Sequence, residues 1–147
     1  MPGLEDLYRE IILDHYKNPR NRGDLPEPAI SVEGHNPLRG DEITLYLDVD
    51  DDVIRDVKVS GQGCSISQSS ASMMTQAVIG RPIDEVRAVI RRFKSMMDIT
   101  EEGSEVEDAD VSLGDLEALQ GVVKFPVRIK CATLSWNTLI QALDQAS

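Results

Sequence analysis

Cysteine is scarce in this chain. Cys64 and Cys131 are the only two among 147 residues, and they stand 131 − 64 = 67 positions apart. A small secreted domain stapled by disulfides needs more, so the pair is expected as thiols in a reducing compartment. Aromatic residues are also few, at 4%, which leaves the core to Val, Ile, Leu, Met and Ala and suits small helices packed on a sheet. Basic residues fall well short of acidic ones: 15 Lys and Arg against 26 Asp and Glu give a formal charge of −11. A nucleic-acid partner held through its phosphates needs a basic face, so that class is excluded. Long apolar runs are missing too. None approaches the roughly 18 residues of a membrane span, and no basic stretch precedes an apolar segment at the start of the chain. The expectation is a soluble, cytoplasmic protein with no membrane partner.

What is present organises into one domain, residues 1–147, with an acidic insertion near 98–112. Leu4, Leu7, Tyr8, Ile11, Ile12 and His15 recur at helical spacing until Asn18-Pro19 stops them, which predicts a helix over 4–17. Residues 18–37 carry four prolines and should run extended, with a short edge strand over 29–33. Ile43, Leu45, Leu47 and Val49 alternate with mostly polar positions, and Val53, Val57 and Val59 repeat this beyond Asp50-Asp51-Asp52, as in an antiparallel hairpin. Gly61, Gly63 and the polar residues 65–72 predict a tight strand-to-helix turn at Cys64, capped by Ser or Gln. Two amphipathic helices follow, one ending at Gly80 and one beginning after Pro82. The acidic stretch is too polar to bury. Beyond it, Ser112 to Asp115 read as a capping box for a short helix ended by Gly121, and Ala132, Trp136, Leu139, Ile140 and Leu143 form the last helix. Cys131 is placed at that helix's N-terminal turn, where the helix dipole favours a thiolate. The fold class is α+β: a small antiparallel sheet of about three strands packed against several helices.

Free cysteines are as often small buried hydrophobes as functional groups. Here both are placed at element ends where side chains converge, and Asp41, after Gly40, offers a hard oxygen beside two soft sulfurs, a set that suits zinc or iron. His15 continues the apolar face of the first helix and reads as a core or interface residue. His35 reads as a solvent-facing histidine, with an imidazole ligand as the alternative. Arg128 and Lys130 beside Cys131 either steady a thiolate or are ordinary surface charges.

Several separated segments then carry a resemblance. They run from Leu7-Tyr8-Arg9-Glu10 through Asp14-His15-Tyr16-Lys17-Asn18-Pro19-Arg20-Asn21, then Gly63-Cys64-Ser65-Ile66-Ser67-Gln68, Leu113-Gly114-Asp115-Leu116 through Gly121, and Arg128-Ile129-Lys130-Cys131-Ala132-Thr133-Leu134. In this order they resemble the SufU branch of the IscU-like proteins of iron–sulfur cluster assembly, along nearly the whole chain. The long stretch between the cysteines, and Lys130 where scaffold-type members carry histidine, resemble the same branch. The Leu-Pro-Pro-Val-Lys chaperone-docking motif of the scaffold group is absent.

The resemblance implies a site of three cysteines and one aspartate, usually holding zinc, with iron or an iron–sulfur cluster as the other possible occupant. It implies a sulfurtransferase-type accessory protein rather than a stand-alone enzyme. Such a protein accepts sulfur as a persulfide from a pyridoxal-phosphate cysteine desulfurase and passes it towards downstream cluster-assembly scaffold proteins. Asp41, Cys64 and Cys131 match three of the four positions. The family's loop reads Asn-Pro-x-Cys-Gly-Asp, whereas this chain reads Asn36-Pro37-Leu38-Arg39-Gly40-Asp41. A guanidinium stays protonated and has no lone pair, so Arg39 can neither ligate zinc nor form a persulfide. Three outcomes stay open: a transfer-deficient, regulatory desulfurase-binding protein with Arg39 standing in for the cation, metal binding through the trio with water or His35, or takeover of the acceptor role by Cys64 or Cys131.

Overall fold

The computed structural model describes residues 4–26, 29–36, 40–97 and 114–146. In chain order these form helix α1 (Leu4–Lys17), strands β1 (Ile30–Asn36), β2 (Asp41–Asp50) and β3 (Val53–Gln62), helices α2 (Ser65–Val78) and α3 (Ile83–Met96), a 3-10 helix (Gly114–Lys124) and helix α4 (Pro126–Ala146). Arg39 and the acidic insertion lie outside the described residues.

The strands make one antiparallel sheet in the order β1-β2-β3. Its alternating pattern is set by burial of one face: Val32, Ile43, Leu45, Leu47, Ile54, Val57 and Val59 point into the core while their neighbours face outward. The β2–β3 connection is a two-residue loop in which Asp51 and Asp52 both take left-handed backbone, at φ 54° and 59°. Short polar side chains tolerate that conformation, whose twist matches the paired strands. Helix α4 packs against β1, β2 and α2, and α3 touches both α2 and α4. At the centre Phe93 of α3 stacks on Trp136 of α4, ring centroids 4.4 Å apart. The Trp136 indole N–H donates to Ser70 Oγ at 3.1 Å, and Ser70 in turn donates to the Ala132 carbonyl at 2.5 Å. These bonds satisfy the Trp136 indole and the Ser70 hydroxyl buried between α2 and α4.

Among its described residues the proline-rich segment is extended only in part: Asn21 takes left-handed backbone at φ 58°, and residues around it cover the edge of the sheet. Gly23 N–H donates to Val59 O at 2.9 Å and Val59 N–H to Asn21 O at 3.0 Å, so residues 21–23 lie along β3. His15 is fully buried against Ser72 of α2, at 2.8 Å through Nδ1. The α+β class, the antiparallel hairpin and α1 stand where the sequence places them. The edge strand runs to Asn36 rather than stopping at residue 33, because β2 pairs with it down to Asp41. The 3-10 helix continues past Gly121 to Lys124.

Candidate metal centre

Asp41 opens β2 directly opposite Asn36, the last residue of β1, and the Gly40 N–H closes on the Asn36 carbonyl at 2.9 Å. Gly40 takes φ 71°, a left-handed value that glycine adopts without strain. The turn delivers the Asp41 carboxylate into the interior, where the residue is 2% exposed. Its Oδ1 accepts the backbone N–H of Cys64 at 3.0 Å. This replaces the anticipated Ser or Gln cap: Cys64 itself is the N-cap of α2 and has no side-chain cap bond, its N–H being satisfied from β2. Ser67 donates instead to the Cys64 carbonyl at 3.1 Å. Gly63 has to be small here. A Cβ at that position would meet Asp41 Oδ1 at 2.8 Å and collide with Ser67 Oγ.

Cys131 arrives from α4, but deeper than the expected first turn. Proline is favoured at the first helical position, so α4 starts at Pro126 and Cys131 lies in its second turn, fully buried. The two thiols consequently differ. Burial pushes Cys64 up, yet hydrogen bonds from the backbone of Ser67 and Ile66 and from Cys131 outweigh it, and its pKa lies below the ordinary thiol value. For Cys131 burial leads, the hydrogen bond with Asp41 and the proximity of Cys64 add to it, and the thiol is pushed up to about 12. This overturns the expected dipole-stabilised thiolate at Cys131; the helix-start amides serve Cys64 instead. Lys130 is exposed, and neither it nor Arg128 is among the groups that shift the two thiols.

One carboxylate oxygen of Asp41 and the sulfurs of Cys64 and Cys131 lie within 4.8 Å of one another, a grouping that could hold a metal ion. Asp41 Oδ2 is buried and has no hydrogen-bond partner among the described residues. A buried carboxylate oxygen left unpaired is costly, and a cation is the partner that compensates it. Tetrahedral zinc with Zn–S near 2.3 Å has donor–donor edges of about 3.5–3.8 Å, so the trio fits after a contraction of about an ångström. His35 stands apart: it is exposed on β1 opposite Glu42 and does not belong to the group.

Sequence reasoning found this trio but missed Asn36. Its side-chain amide donates to Cys131 Sγ at 3.8 Å from a residue that is 5% exposed. The available signal was its place one residue before Pro37 in the loop leading to Asp41, but an Asn-Pro pair reads first as a turn.

Comparison with known proteins agrees with this architecture. The model of the NifU-like N terminal domain matches residues 7–143. The chain is 52% identical over 136 residues to the zinc-dependent sulfurtransferase SufU of Bacillus subtilis (strain 168), covering 92% of this chain and 88% of that protein. It is 42% identical over 144 residues to the iron–sulfur cluster assembly scaffold protein IscU of Streptococcus pyogenes serotype M1, covering 98% and 87%. A crystal structure from Fervidobacterium islandicum AW-1, described as an iron–sulfur cluster assembly scaffold protein for the SUF system, superposes with a TM-score of 0.81 at 37% identity, covering 96% of this chain and 99% of that one. Among the described residues no helix is long and apolar enough to cross a membrane. The chain belongs to the NifU-like N-terminal domain family, among its SufU- and IscU-like members.

Proposed function

We propose that this chain is a sulfur-relay and accessory protein of iron–sulfur cluster assembly, working as one domain. In this reading Asp41, Cys64 and Cys131 are the ligands of a zinc-class metal, and a cysteine desulfurase is the partner that supplies sulfur. The observation that carries it is the buried Oδ2 of Asp41, which has no hydrogen-bond partner among the described residues and lies beside two thiols, a donor set that suits zinc or iron and is one short of the four of a tetrahedral site. The relative named a zinc-dependent sulfurtransferase supports the choice of metal and of chemistry. Zinc, when bound, would hold both sulfurs deprotonated.

The residues of the chain decide how sulfur is received. Only two sulfurs belong to cysteines, and Cys131 is fully buried, so Cys64 is the acceptor within reach. Its thiolate attacks the outer sulfur of the desulfurase persulfide; a sulfur–sulfur bond forms on Cys64 as the donor's breaks, and the donor cysteine leaves as thiolate, with no net oxidation. The amides of Ile66 and Ser67 stabilise the attacking thiolate. A downstream scaffold protein then takes the sulfur by the same exchange.

A second reading is favoured by Arg39, which stands where the family's loop carries its acceptor cysteine. Under it the chain docks on the desulfurase and regulates it without receiving sulfur. The test is to mix the chain with a desulfurase and cysteine, following sulfide release and the mass of each trapped cysteine peptide. One added sulfur atom on the Cys64 peptide establishes relay. Stimulated sulfide release with no added sulfur establishes the regulator, and no effect on either eliminates both.

A further inference from the structure

We propose that Asn36 is a positioning residue of the metal centre: its side-chain amide hydrogen-bonds the Cys131 sulfur and sets that sulfur's orientation and donor strength toward the metal. This rests on the metal reading above. Three features of the fold carry it. First, β1 turns Ile30, Val32, Gly34 and Asn36 to its inner side, so an amide occupies the end of an otherwise apolar row. A buried amide costs roughly 1–3 kcal/mol unless it finds a partner, and the Nδ2 to Sγ distance of 3.8 Å makes sulfur one such partner. Second, the approach is built in. At Gly34 a Cβ would strike Thr138 Oγ1 and meet a Leu134 methyl at 3.4 Å, so glycine lets β1 lie close on α4 and brings Asn36 to Cys131 two positions later. Third, Asn36 is the antiparallel partner of Asp41, so one turn presents a donor oxygen and an orienting amide to the same centre.

The chemistry gives the arrangement a direction. A neutral thiol is a weak acceptor, whereas a metal-bound thiolate carries charge and accepts an N–H strongly. The amide therefore supports Cys131 most in the state in which it ligates, and it lowers the energy of the sulfur lone pairs. Partners of this kind, one bond removed from the metal, commonly alter metal affinity by about 10–100-fold.

The test uses cobalt(II) as the spectroscopic probe of the full chain. In Asn36→Leu, which keeps the side-chain volume and loses the donor, the thiolate-to-cobalt charge-transfer band should move to lower energy, and zinc affinity should fall about tenfold. A purely structural role would weaken affinity without moving the band, so an unmoved band overturns the inference. No thiolate band in the unaltered chain overturns the metal reading, and this inference with it, which keeps the two failures distinct. Should Asn36→Leu not fold, the unaltered chain loaded with spin-one-half cadmium decides: scalar coupling from cadmium to the Asn36 side-chain amide proton supports the N–H to sulfur bond, and its absence overturns it.

Discussion

At the scale of single residues the two cysteines are made unequal by their surroundings. Cys64 is partly open, caps α2 and is served by amides, while Cys131 is closed in and faces Asp41. In the metal-free chain, iodoacetamide at neutral pH should therefore label Cys64 at least tenfold faster than Cys131, because both access and thiolate fraction favour it. Raising the pH should narrow the gap only as it approaches about 12, where half of Cys131 would be thiolate. Equal labelling of the two peptides by mass spectrometry would contradict the burial assigned here. Arg39 invites a second experiment. With three donors the chain should purify with less than one zinc per molecule, and Arg39→Cys, by adding a fourth thiolate, should raise the content to one in elemental analysis. Full tight zinc before the substitution would show that the trio suffices.

At the scale of elements the informative piece is the turn that joins β3 to α2. Gly63→Ala forces a methyl against the Asp41 carboxylate and Ser67, and overpacking of this kind costs about 1–3 kcal/mol. Zinc affinity should fall further than stability does, since the displaced group is itself a donor; an affinity loss no larger than the measured loss in unfolding free energy would argue against that placement. The same turn marks the border of what could be read from residues alone. The glycines and Cys64 announce a tight turn, and the alternating Val and Leu positions announce the hairpin, because local sterics and one-sided burial impose both. The contact between Asn36 and Cys131 is different in kind, since it spans 95 positions and exists only because β1 lies on α4. Nor could apolar spacing locate the start of α4: its periodic residues begin at Ala132, while Pro126 begins the helix a turn and a half earlier and carries Cys131 inside.

On the scale of the whole molecule the candidate centre is where the fold's separate parts meet. Asp41 belongs to the sheet, Cys64 to the start of α2, and Cys131 to α4, which packs on both sheet and α2. The three donors come together only when those elements are assembled, so metal binding is coupled to folding. At zinc about 100-fold above Kd the coupling contributes about 2.7 kcal/mol. For a domain of this length each kcal/mol moves Tm by about 2–4 °C, so saturating zinc should raise Tm by about 5–10 °C and a chelator should reverse the rise. Asp41→Asn separates the centre from the scaffold. Its side-chain oxygen can still accept the Cys64 N–H, so the metal-free Tm should change little, while loss of the charged donor should abolish most of the zinc-dependent rise. The control matters because the chain carries 26 acidic residues against 15 basic ones, and carboxylates outside the centre can attract cations loosely. A zinc-dependent rise of the same size in Asp41→Asn and in the unaltered chain would place the metal on that surface and remove Asp41 from the centre.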